Sequence, residues 1–301
     1  MVGGAALVSS IRTAPESRLG AFPGDTRSPP GWFTPIGWRL VEIVILPTGD
    51  EVGRAAAAKI AHLVARNPRT VLGLATGSSP LAIYAELAAR RSAGLDLSEV
   101  SGFALDEYVG LPTSHPQSYA SVIRTTVTEP LGLDPARVHV PDGLADDIEA
   151  ACAGYETAIR DAGGVDLQIL GIGANGHIGF NEPTSSFGSR TRIKTLSSRT
   201  REDNARFFAS LGEVPTHCVT QGLATIQDAR ELLLVAQGAA KAPAVAAAVE
   251  GPLTSMVPAS ILQWHPRATV ILDEAAAADL RLADYYRHTY ANKPTWQRWD
   301  L

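Results

Sequence analysis

VDLQILGIGANGHIGFNEP, residues 165 to 183, is the stretch on which the fold turns. VDLQILGIG, 165–173, reads as a buried strand: a short apolar run with no helical period. It opens directly onto a loop in which Gly171, Gly173, Gly176 and Gly179 surround Asn175, His177 and Glu182. A buried strand followed by a polar, glycine-rich loop belongs to a parallel sheet, where both faces are covered and ligands sit beyond the carboxyl ends of the strands.

The same order recurs on either side. VEIVIL at 41–46, TVLGLA at 70–75, VSGFALD at 100–106, ELLLVA at 231–236 and ATVILD at 268–273 read as strands. Between them lie amphipathic stretches: GDEVGRAAAAKIAHLVARN, SPLAIYAELAARRSAG, DDIEAACAGYETAIRDAGG, KAPAVAAAVEG and EAAAADLRLADYYRHTY. This alternation predicts an α/β fold: a mainly parallel, doubly wound, Rossmann-like sheet with helices on both faces. Residues 41–301 are expected to form a single domain. Residues 1–40 carry Pro15, Pro23, Pro29, Pro30 and Pro35 and show no periodicity, so they are expected to be a disordered extension. AALV at 5–8 is too short for a signal-peptide core.

Composition narrows the function. A net charge of −5 without a basic stripe argues against nucleic acid. Cys152 and Cys218 are the only cysteines in 301 residues, too few for a disulfide framework or a metal cage, and a cytoplasmic setting is expected. No apolar run approaches the roughly 18 residues that span a bilayer.

Four segments carry chemistry, each with a bland reading beside the functional one. Thr76, Gly77, Ser78 and Ser79 turn the chain between a strand and a helix that has Pro80 at its start. They are either a serine-capped helix or an anion site built from free N–H groups. Asp106, at the end of VSGFALD, is either a turn cap or a general base. His177 is either a structural histidine or, with Glu182 orienting one ring nitrogen, a proton shuttle. SRTRIKTLSSRTREDNARFF, 189–208, is either a solvated basic face or the source of one or two phosphate-binding arginines, and Lys241 is a further cation after ELLLVA. Together they suggest an enzyme that moves protons on a small phosphorylated metabolite without a cofactor or metal.

LDEYVGLP, NGHIGFNEP, SRTRIKTL and LQWHP, in this order, resemble the glucosamine-6-phosphate deaminase family over about residues 41–290. The resemblance implies hydrolytic conversion of glucosamine 6-phosphate to fructose 6-phosphate and ammonia, in amino-sugar catabolism. It implies Asp106 as proton carrier between carbons 2 and 1, and His177 with Glu182 as the ring-opening pair. It places the substrate phosphate on Thr76, Gly77, Ser78 and Ser79, with Arg206 and Lys241 as cations. The stretch 189–221 would cover the site as a lid. Asn175 stands where the best-studied bacterial form has aspartate, so it is expected to orient by hydrogen bond and not to carry protons.

Some relatives are hexamers activated by N-acetylglucosamine 6-phosphate, and Ser185, Ser186, Arg192 and Lys194 match that activator site. It also uses the chain's own N-terminal amine, which the 40 extra residues would displace unless Val41 is the true start. The neighbouring expectations are a galactosamine-6-phosphate deaminase, a 6-phosphogluconolactonase lacking the proton carrier, and a non-catalytic sugar-phosphate sensor. Such sensors carry a helix-turn-helix, which the prolines of 1–40 disfavour.

Overall fold

The computed structural model describes residues 41–297. The expectations for 1–40, and for the last four residues, lie outside that range. The strands in chain order are β1 Glu42–Leu46, β2 Val71–Leu74, β3 Ser101–Ala104, β4 Asp106–Tyr108, β5 Val138–His139, β6 Leu167–Leu170, β7 Arg192–Thr195, β8 His217–Thr220, β9 Glu231–Ala236 and β10 Ala268–Asp273. Seven of them form one parallel sheet in the order β1-β10-β9-β6-β2-β3-β5. The central strands β2, β6 and β9 are mostly apolar and buried, as a sheet covered on both faces requires, with Gln168 buried in β6 and Glu231 half-buried at the start of β9.

From β2 the chain steps outward to β3 and β5. From β6 it steps the other way, to β9 and β10. Right-handed crossovers running in opposite directions put their helices on opposite faces. The helices α1, Gly49–Arg66, and α2, Leu81–Ser92, share one face and cross closely enough that a Cβ on Gly53 would meet Ala82 at 2.6 Å. Because β2 and β6 are neighbours whose connections diverge, the loops after them flank the topological switch point, where open α/β sheets bind ligands.

Three segments depart from the sequence reading. VSGFALD is not one strand. Leu105 donates its N–H to Leu74 O of β2, but its carbonyl accepts Gln221 N–H at 2.7 Å, and the chain crosses there into a second sheet. That sheet, in the order β4-β8-β7, is antiparallel and pairs Asp106 with Thr220 and Thr220 with Arg192. The basic stretch 189–208 is divided between β7 and a short helix, Ser198–Asn204. The final apolar stretch becomes helical only over Ala283–Ala291.

Candidate active site

Four loops meet at the switch point. After β2, the Tyr84 hydroxyl of α2 donates to Ala75 O and accepts Ala75 N–H, which fixes where the strand ends. Gly77 then takes φ +87°, a conformation glycine adopts freely. Gly77 and Ser78 are exposed, and no side chain caps the start of α2. Free N–H groups at the start of a twelve-residue helix are thereby left facing the turn. After β9, Lys241 is half-buried and its Nζ donates to Ile172 O at 2.7 Å, which ties that loop to the one after β6. Burial, and secondarily the charge of Arg206, lower the Lys241 pKa. Arg206 itself lies on Phe207, 4.6 Å from the ring centroid.

The loop after β6 is shaped around the histidine. Gly173 N–H bonds His177 O, and Gly176 N–H bonds Gly173 O, both at 2.9 Å. The imidazole lies against Gly173 so closely that a Cβ there would be 2.2 Å from Cε1. Nδ1 is buried with no hydrogen-bond partner among the described residues and lies 3.9 Å from Glu182 Oε2. Burial lowers the His177 pKa, an effect that Glu182 opposes and Lys241 reinforces. Glu182 is driven upward by burial, but Thr200, His177, Asn175 and Ser197 together hold it below the ordinary carboxylate range. Asn175 Nδ2 donates to Glu182 Oε2 at 2.6 Å, and its Oδ1 accepts His177 N–H at 3.2 Å. The amide thus sets the carboxylate and the loop, and burial is the chief cause of the depressed imidazole.

Gly179 brings this loop onto Asp106: a Cβ on it would stand 3.0 Å from Thr220 Oγ1 and 3.5 Å from Asp106 Oδ2. Asp106 is 5% exposed, and its pKa is pushed up to about 8, first by burial and then by the charge of Glu107. Glu107 is fully engaged elsewhere. It accepts Ser118 Oγ–H and the N–H groups of Tyr108, Tyr119 and Ala120, all within 2.9 Å, so it caps the helix Tyr119–Ile123. The two adjacent acids of LDEY have separate jobs: one caps a helix and the other faces the site.

A sequence profile of glucosamine-6-phosphate isomerases/6-phosphogluconolactonase matches residues 48–271. The chain belongs to that family. The glucosamine-6-phosphate deaminase of Pseudarthrobacter chlorophenolicus is 62% identical over 257 residues, spanning 85% of this chain and 99% of its own. The protein of the same name from Mycolicibacterium smegmatis is 59% identical over 259 residues, again 85% and 99%. Among solved structures, a monomeric glucosamine-6-phosphate deaminase is 38% identical with a TM-score of 0.77, covering 79% of this chain and 100% of that one. The 6-phosphogluconolactonase of Thermotoga maritima, at 22% identity and a TM-score of 0.63, covers 78% of this chain and 100% of its own and shares the fold.

In this family member the residues expected to bind an activator are only partly assembled. Arg192 Nη2 donates to buried Ser185 Oγ at 3.2 Å, and Nη1 to Asn181 Oδ1 at 3.0 Å. Lys194, two residues along β7, shares the strand face of Arg192. The Ser186 hydroxyl instead accepts Gly188 N–H at 3.2 Å. Thr184, between Glu182 and Ser185, holds φ +75°, a strained conformation for a β-branched residue.

The sequence reading missed Ser197, Thr200 and Asp203. Ser197 caps the helix Ser198–Asn204 through Thr200 N–H, a signal that SSRT carried in plain view. The contacts of Ser197 and Thr200 with Glu182 are tertiary and had no local signal. Among the described residues, no helix is long and apolar enough to cross a membrane.

Proposed function

We propose that this chain deaminates glucosamine 6-phosphate to fructose 6-phosphate and ammonia, in amino-sugar catabolism. The observation that carries the reading is a buried carboxyl, Asp106, with a pKa of about 8, set against the glycine loop that holds a neutral imidazole and an ionised carboxylate. The turn Thr76–Ser79, with Lys241 and Arg206, receives the phosphate. His177, its Nδ1 toward Glu182, uses Nε2 to take the proton of the anomeric hydroxyl and return one to the ring oxygen, which opens the pyranose.

Asp106 then takes the proton from carbon 2 and delivers it to carbon 1. The double bond moves from C1–O1 to C2–N, and one ammonium proton passes to O1. Water adds to the C2 iminium and ammonia leaves. A carboxyl with a pKa near 8 is matched to both halves of this transfer, and an arriving ammonium group favours its ionised form. A lactonase needs no such carrier at carbon 2.

The direct test is ammonia release from glucosamine 6-phosphate by the purified protein. Release from galactosamine 6-phosphate alone would overturn the substrate assignment, and release from neither would overturn the activity. The same assay with N-acetylglucosamine 6-phosphate tests an activator site at Ser185, Ser186, Arg192 and Lys194. Faster release at low substrate is expected if a homo-oligomer couples that site to catalysis. Opening of 189–221 as a lid is part of the same proposal.

Asn175→Asp replaces the N–H donor on Glu182 Oε2 with a second anion. Like charges disfavour each other's ionisation and favour the imidazolium, so Glu182 and His177 both rise. The acid limb of kcat/KM is expected to move up by about 0.5–1 pH unit. An unmoved limb would refute the orienting role given to the amide.

A further inference from the structure

We propose that Thr200, backed by Ser197, is a positioning residue for the ring-opening pair: a hydroxyl on the covering segment that fixes Glu182 in place beside His177. The inference rests on the deaminase reading for its kinetic consequence, but not for its geometry.

Thr200 is 3% exposed and sits in the helix Ser198–Asn204. Its Oγ1 donates to Glu182 Oε1, and Ser197 Oγ reaches the same oxygen at 3.1 Å. Ser197 accepts Thr200 N–H at 3.1 Å, so the residue that caps the helix also touches the carboxylate. Asn175 holds the other oxygen. Both oxygens are therefore pinned, and the carboxylate cannot rotate toward or away from the unpartnered Nδ1 of His177. Donors from two separate segments define its position: the loop after β6 supplies one, and the helix after β7 supplies the others.

That helix is anchored beside Asp106 as well. Asn204 Nδ2 donates to Tyr108 Oη at 3.0 Å, and Phe208 packs edge-on to Tyr108 and stacks on His115. Arg206, the phosphate cation, follows two residues after Asn204. Seating the segment 197–208 thus brings together the phosphate cation and the donors that keep Glu182 ionised. Lifting it removes both.

The titratable groups facing Glu182 are His177 from its own loop and Cys218 from β8, while Asp203 of the covering helix and Lys241 act on His177. A hydrogen bond to the charged form favours ionisation, so losing the Thr200 donor raises the Glu182 pKa. Glu182 must be ionised to support the imidazolium. The acid limb of kcat/KM in Thr200→Val, which keeps the side-chain shape, is expected to move up by about one pH unit, an approximately tenfold loss on that limb. Thr200→Ser is expected to restore the wild-type limb. Ser197→Ala, which leaves Thr200 in place, should move it less than Thr200→Val.

The same order is expected in the carbon NMR titration of the Glu182 carboxyl, assigned with Glu182→Gln, which needs no turnover. A Glu182 titration and acid limb that stay put in both Thr200→Val and Ser197→Ala would overturn the proposal. If Thr200→Val does not fold, the Ser197→Ala and Thr200→Ser titrations decide it. Absence of ammonia from the wild type would count against the deaminase reading alone, since the carboxyl titration still judges Thr200. Asn204→Ala frees the helix from Tyr108 without touching Glu182, and a smaller shift in the same direction is expected. No shift there would overturn the link between seating of the helix and the charge on Glu182.

Discussion

Asp106→Asn is expected to abolish ammonia release while making the protein more stable at neutral and alkaline pH. The amide keeps the shape of the side chain but cannot carry a proton from carbon 2 to carbon 1. General acid–base catalysis contributes roughly 10²–10⁴ in rate, and the loss should fall on kcat rather than on KM. The stability gain follows from burial. The folded carboxyl holds its proton up to about pH 8, whereas the ordinary carboxyl lets go near 3.8. Between those values the native state binds more protons than the unfolded chain, so wild-type stability falls as pH rises through that window. Asparagine has no such dependence.

The melting temperatures of Asp106→Asn and wild type should therefore agree near pH 4 and separate steadily toward pH 8. The gap at the upper end corresponds to on the order of a few kcal/mol. Parallel melting curves across the range would show that Asp106 titrates normally and would remove the physical basis for its role. A residue that lowers stability yet persists at the sheet's ligand edge is what a proton carrier requires.

The sheet was legible because its strands are buried on both faces. Runs such as ELLLVA and ATVILD hold a continuous apolar centre with polar residues only toward their ends, and each leads on to a helix with its own period. The glycine loop, Asp106 and Lys241 were legible for the same reason, since each lies within a few residues of a strand's carboxyl end. What could not be read was tertiary. VSGFALD continues as an apolar run through Leu105, and nothing local marks the break. The break is made by Gln221 N–H, which arrives from a distant part of the chain. The edge strand β7 alternates half-buried and exposed residues and carries Arg192 and Lys194, so it looked like a solvated basic face. Nothing local gives Glu107 a role beside Asp106; the four donors around it identify a helix cap. The hydroxyls on Glu182 belonged to the same basic stretch, where charge drew attention away from them.

Gly173→Ala is the substitution that tests the histidine without touching it. The φ of Gly173 is not in the left-handed region, so alanine meets no backbone penalty there. The nearest obstacle is the imidazole, whose Cε1, Nδ1 and Nε2 would lie 2.2, 2.4 and 2.4 Å from the new Cβ. The backbone has little freedom to yield, because Gly173 is held through its N–H by His177 O and through its carbonyl by Gly176 N–H. The ring must move instead, away from a carboxylate that is itself pinned on both oxygens.

A displacement of about 1 Å at a reacting group costs on the order of 10²-fold in rate. Forcing an extra methyl into a packed site costs about 1–3 kcal/mol of stability. Inorganic phosphate should inhibit the variant and the wild type with similar affinity, because the turn Thr76–Ser79 and Arg206 are left in place. That combination, with chemistry lost and the phosphate site kept, assigns the effect to the imidazole. A variant that turned over at the wild-type rate would mean that the ring can leave Gly173 without consequence. His177 would then be a structural histidine after all, and ring opening would need another proton donor.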